Sequence, residues 1–141
     1  MYRFLQTAFI RKNTLELRKK LEELGYNHPI DVIEDERFCI ATSPVHCNYY
    51  IIIKGAFDDT NPHYTWNCAG RIDCGTNEEL FLGIAALRDD TDKNQWFTDG
   101  DKWIQCPAIK FSTYWVYNDI DVNIDTVHKA TVDELIEHFK Q

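Results

Sequence analysis

The chain's five cysteines and five histidines are the residues best equipped for chemistry. His46-Cys47, His63, Cys68 and Cys74 place nitrogen and sulfur donors within 29 positions, and these are the ligand types that zinc takes. A structural zinc site is usually announced by a closely spaced pair such as Cys-x-x-Cys or His-x-x-x-His, and neither occurs. Cysteine is also among the most frequently buried residue types, so buried thiols explain the pattern better than a metal. No metal or other cofactor is expected. Covalent catalysis needs a thiol beside a base. His46 and Cys47 are adjacent, but neighbours on a strand point to opposite faces. Pairing Cys74 with His63 depends on a fold that spacing alone does not supply.

Other catalytic patterns fail on their own terms. His63-Tyr64-Thr65 has the His-x-Thr form used by two-histidine phosphoesterases, whose mechanism requires two such elements, and a second is absent. There is no G-x-S-x-G elbow, phosphate-cradling P-loop or G-x-G-x-x-G. In RDDTDKN, residues 88–94, Asp89, Asp90 and Asp92 fall at a helix end, where the macrodipole disfavours negative charge. A hard cation such as magnesium would relieve this, and so would a solvated turn, the simpler reading. NDIDVNID resembles a calcium loop, with Asp119, Asp121, Asn123 and Asp125 on alternate positions, but Ile124 stands where the loop needs glycine and Ala130 where it needs glutamate. As a strand, the same residues would turn Ile120, Val122 and Ile124 inward. Asp73-Cys74-Gly75-Thr76 leads a strand into a helix. There Thr76 would take a free N–H, and Glu78 and Glu79 would repel an anion, so the junction reads as scaffold.

Rings are the remaining resource. Tyr49, Tyr50, Tyr64, Trp66, Trp103, Tyr114, Trp115 and Tyr117 exceed what one modest core takes up, and aromatic residues are common anchors of recognition surfaces. Packing beneath the chain's own helices is the competing account. A ligand-binding surface would be built from Trp66, Trp103, Trp115 and Tyr64, with His63, Arg71 and Arg88 as polar partners.

Three helices must hold these groups in place. Asn13 with Glu16 caps the first, Leu17, Leu21 and Leu24 follow at helical spacing, and Gly25 ends it. Thr76 and Glu79 form a capping-box pattern before the second, in which Leu80, Ile84 and Leu87 line one face and Gly83, Ala85 and Ala86 allow close approach to a sheet. Thr131 and Glu134 repeat the device before Val132, Leu135, Ile136 and Phe139. Strands are expected over Ile30–Glu34, Phe38–Thr42, Tyr49–Ile53 (a central one), Trp66–Cys74, Phe111–Tyr117 and Asp119–Asp125. Asp99-Gly100 signals a two-residue hairpin that would set Trp96 opposite Trp103. The expected fold is α+β: one mostly antiparallel sheet of about six or seven strands with three helices packed on it. With no linker or repeat, residues 1–141 read as one domain.

A net charge of −8 argues against direct binding to nucleic acid, which lysine and arginine drive. No stretch approaches the roughly 20 apolar residues that span a bilayer, and the start is a poor signal peptide. A cytoplasmic protein with reduced thiols is therefore expected. ELRKKLEELGY, DCGTNEELFLGIAALRDDTD and HKATVDELIEHF resemble, in style, small acidic α+β proteins of gut bacteria, their phages and mobile elements, to which no activity is attached. The resemblance implies a context in which such proteins bind or inhibit something in the host, as counter-defence factors do. The expected function is thus a non-enzymatic binding protein for a host protein or small-molecule ligand. A cysteine-dependent hydrolase or transferase, and a structural subunit of a larger assembly or homo-oligomer, stand as alternatives.

Overall fold

The computed structural model describes residues 6–28, 37–43, 47–53, 71–112 and 122–140. Among these the chain runs β1 (Ala8–Ile10), α1 (Leu15–Leu24), β2 (Phe38–Ser43), β3 (Asn48–Ile53), β4 (Ile72–Asp73), α2 (Glu78–Ala85), β5 (Trp96–Thr98), β6 (Trp103–Gln105), β7 (His128–Lys129) and α3 (Val132–Phe139). The class is α+β, as the patterning predicts, but the described strands form two sheets where one was expected. A four-stranded sheet has the order β3-β2-β1-β4, with β4 parallel to β1, and a three-stranded antiparallel sheet has the order β6-β5-β7. The split has a local cause. Asp73 Oδ1 accepts the N–H of Gly75 at 2.9 Å, and Gly75 adopts a left-handed φ of 58°, which a side chain would strain. This turn ends β4 after two residues and sends the chain into α2, so pairing resumes in a separate sheet.

Alternation along the first sheet divides its side chains. Ala8, Ile10, Ile40 and Tyr49 meet Leu17 and Leu21 of α1 and Leu80, Phe81 and Ile84 of α2 in one core. Each fully buried Leu, Ile or Phe among them contributes about 1.5–3 kcal/mol. Phe9, Cys39 and Ala41 point the other way and are no more than 1% exposed, so this face too is covered within the single chain. The Tyr49–Ile53 strand, expected to be central, ends the order of described strands.

Two helix caps differ from expectation, each because a neighbour claims the expected residue or reaches further. Thr14, not Asn13, caps α1, accepting from Leu17 N at 3.2 Å. Asn13 is buried and instead accepts from the guanidinium of Arg18, itself 1% exposed, since a buried cation needs acceptors. Asn77, not Thr76, caps α2, accepting from Leu80 N at 3.2 Å. Its amide also donates to the carbonyl of Phe139 at the end of α3, so one side chain serves two helix ends. Gly25 closes α1 at φ 109°, and Thr131 with Glu134 makes a complete capping box on α3, both as expected.

The β5–β6 register is Trp96 to Gln105 and Thr98 to Trp103, two residues from the expected Trp96–Trp103 pair. Asp99 is the reason. Its Oδ1 accepts from Asp101 N at 2.8 Å and Lys102 N at 2.7 Å, organising a four-residue loop in place of a two-residue one. N–H donation from Asn123, Lys102 and Asp101 holds its carboxyl at about 2. A two-residue shift preserves the face, so the indoles still meet edge to face, 6.5 Å apart. Of the expected Asp119–Asp125 strand, residues 119–121 lie outside the described residues and the rest is corrected: residues 124–126 form a turn, with Asn123 Oδ1 accepting from Asp125 N at 3.0 Å. Val122 is buried beside Phe97, whereas Ile124 is 43% exposed rather than inward. The Ile30–Glu34 strand, most of Trp66–Cys74 and most of Phe111–Tyr117 lie outside the described residues.

Candidate functional site

Trp103 lies half-buried on β6, stacked on His138 of α3 at 3.9 Å and 11°. Trp96 and Phe139 complete the cluster, with ring centroids 5.4 Å apart. The cluster packs closely on Gly83: a Cβ there would stand in ordinary contact, 3.5 Å from Trp96 and 3.4 Å from Leu135. At Gly83 α2 meets α3 and an indole, while Ala85 on the same helix is buried in the core shared with the first sheet, the approach that was expected. Trp103 works to dock α3. Arg71 donates from Nε to the carbonyl of Thr42 at 3.2 Å, in the other sheet. Trp66, Trp115, Tyr64 and His63 lie outside the described residues.

Arg88 sits in a third setting, just past α2. Its Nε and Nη2 grip both oxygens of Asp90, at 2.9 and 2.8 Å, and its Nη1 reaches the Leu24 carbonyl at 3.2 Å. The last turn of α1 carries no basic residue, so Arg88 supplies the cation that the helix dipole favours there. The same hydrogen bonding lowers the Asp90 carboxyl below its usual range. Asp92 is met from two sides: Lys129 Nζ lies 3.1 Å from one oxygen, and Phe111 N donates to the other at 2.7 Å. Fully buried Gln95 donates to the carbonyls of Arg88 and Thr91 and pins the loop from within. The acids that crowd this helix end are thus answered by the chain's own cations and amides. Among the described residues no group of three histidine, cysteine or carboxylate side chains comes together to hold a metal.

Most of the described thiols and two of the described histidines are engaged in packing. Cys39, Cys47, Cys74 and Cys106 are free thiols, and all but Cys47 are buried. Burial pushes the Cys74 thiol up to about 12 and raises Cys106 as well, which disfavours the reactive thiolate. His28 stacks on Tyr49 and lies 3.1 Å from its carbonyl, while His138 lies on Trp103.

Beside Arg88 the surface opens. Two adjoining hollows, of about 450 and 340 Å³, share Glu23, Leu24 and Asn94, and together form a groove between the end of α1 and the 88–95 loop. Asn94 reaches this position through a left-handed φ of 69°, fixed by its N–H to the Cys106 carbonyl and by Gln105 Nε2 on its own carbonyl. Ile109 lines the larger hollow and is 73% exposed, the most exposed large apolar side chain among the described residues. Apolar walls from Leu24, Ala86 and Ile109 beside the fixed charges of Arg88 and Asp90 suit an amphipathic ligand segment. Sequence patterning named Arg88 but missed Leu24, Asn94 and Ile109. Leu24 reads as an ordinary member of an apolar stripe, and Ile109 lies in a stretch without period. Comparison with family models, with curated proteins and with solved structures returned no match for this chain.

Proposed function

We propose that this is a non-enzymatic binding protein that holds a host protein, or a small amphipathic ligand, in the groove between α1 and the 88–95 loop. The observation that carries the reading is Ile109, an isoleucine left open to solvent at a hollow where Arg88 and Asp90 hold each other in place. Isolated apolar side chains on a surface are ordinary. One beside a concave wall with oriented charges has the form of an anchor point. The resemblance to proteins of mobile elements makes a counter-defence role the natural setting. Thiolate chemistry at Cys74 or Cys106 is disfavoured by their raised thiols. Capture from host-cell lysate with immobilised protein is expected to return a stoichiometric partner, competed by free protein. Repeated failure with folded bait would end the proposal.

A further inference from the structure

His128 makes a contact that stands apart from the groove. It lies on β7, in register with Thr98 of β5, with its side chain 47% exposed. Its Nδ1 lies 2.9 Å from the Thr126 carbonyl oxygen, and its Nε2 lies 2.9 and 3.0 Å from the two oxygens of Glu134. Carbonyl and carboxylate oxygens only accept. A neutral imidazole carries one N–H, so one of its nitrogens would then face an acceptor lone pair to lone pair. Both contacts are satisfied together by the imidazolium alone. Glu134 meanwhile accepts the Thr131 N–H at 3.0 Å, closing the capping box of α3. The ring therefore ties the first turn of α3 to the turn that precedes β7.

What α3 covers gives the contact its consequence. Leu135 packs at Gly83, Phe139 against Trp96, and His138 over Trp103. We propose that His128 is a proton-operated latch: charged, it clamps the start of α3 to Thr126 through Glu134; neutral, it gives up one contact, so that α3 opens more often and uncovers Trp96 and Trp103. The charged group facing the ring from α3 is Glu134. Thr98, its partner on β5, is uncharged, and Lys129, next along β7, directs its ammonium to Asp92. Hydrogen bonding to Thr126, then to Glu134, raises His128 above its ordinary 6.5. The Thr131 N–H, then His128, lowers Glu134 below its ordinary 4.5. A raised base stabilises fully below 6.5 and loses that contribution as pH climbs through its folded value. A lowered acid stabilises above 4.5 and loses its contribution as pH falls through its folded value. Docking of α3 is therefore firmest between 4.5 and 6.5 and loosens on the alkaline side as pH rises through the folded value of His128.

NMR of the whole chain tests the latch. The His128 ring is expected to show two N–H protons and to titrate above 6.5. Amide protection in α3, corrected for intrinsic exchange, should fall severalfold from about pH 6 to about pH 8 as the ring loses its proton. Glu134→Gln keeps an acceptor for the cap but removes the charge, so its midpoint should return toward the ordinary value and the pH-dependent fall should shrink. A midpoint at or below 6.5, protection flat with pH, or an equal fall in His128→Gln would overturn the latch.

Discussion

Asn77 holds two helix ends at once, with Oδ1 on the Leu80 N–H of α2 and Nδ2 on the Phe139 carbonyl of α3. Loss of a cap costs about 1 kcal/mol, and the second contact adds to it. Asn77→Ala is therefore expected to lower unfolding free energy by about 1–2 kcal/mol in urea titrations, while exposed Thr76→Ala stays within about 0.5 kcal/mol. The reverse order would return the cap to Thr76. Capping rules name the right chemistry, but two candidates stand side by side, and Phe139, which helps decide between them, is 62 residues away. The same limit applies at Asn13, which the rules favour locally and which buried Arg18 engages instead. At Thr131 and Glu134 no competitor intervenes, and the box forms as read.

Helices in this chain were legible because three or four apolar residues recur on each at helical spacing. The sheets were less so. Strands of two or three residues, such as β4 to β7, are too short to carry a period, and the break between sheets depends on the turn at Gly75. The parallel pairing of β4 with β1 is likewise a long-range event with no local signature. Packing between α2 and α3 makes a sign prediction. Alanine in place of a mid-helix glycine gains about 1 kcal/mol in propensity. At Gly83 the new Cβ would meet Leu135 at 3.4 Å and Trp96 at 3.5 Å, ordinary contact distances. Gly83→Ala should therefore stabilise the fold by up to about 1 kcal/mol, whereas Gly83→Val, with methyls driven into Trp96 and Leu135, should destabilise it by about 1–3 kcal/mol. Thermal denaturation read by near-ultraviolet circular dichroism, which sees the Trp96–Trp103 pair, distinguishes the two.

For the molecule as a whole, the expected surplus of rings is partly resolved. Phe9, Tyr26, Tyr49 and Phe81 are no more than 1% exposed, and Trp96 and Trp103 are spent on α3. The proposed recognition is assigned to the groove, a surface that composition could not reveal because it is made by one helix end, one loop and one isolated isoleucine. No helix among the described residues is long and apolar enough to cross a membrane. Thiol labelling at neutral pH separates binding from cysteine catalysis: Cys39, Cys74 and Cys106 are expected to react only on unfolding and half-buried Cys47 only slowly, and a fast, stoichiometric reaction at any single cysteine in the native state, Cys47 included, would favour the enzyme. The most direct test is Ile109→Glu. At 73% exposure this residue adds little to the fold, so stability should change by no more than about 0.5 kcal/mol. In parallel captures from host-cell lysate, the native protein should retain its partner and the Ile109→Glu protein should lose it at least tenfold. Equal retention by the two folded proteins would contradict the groove as the binding site.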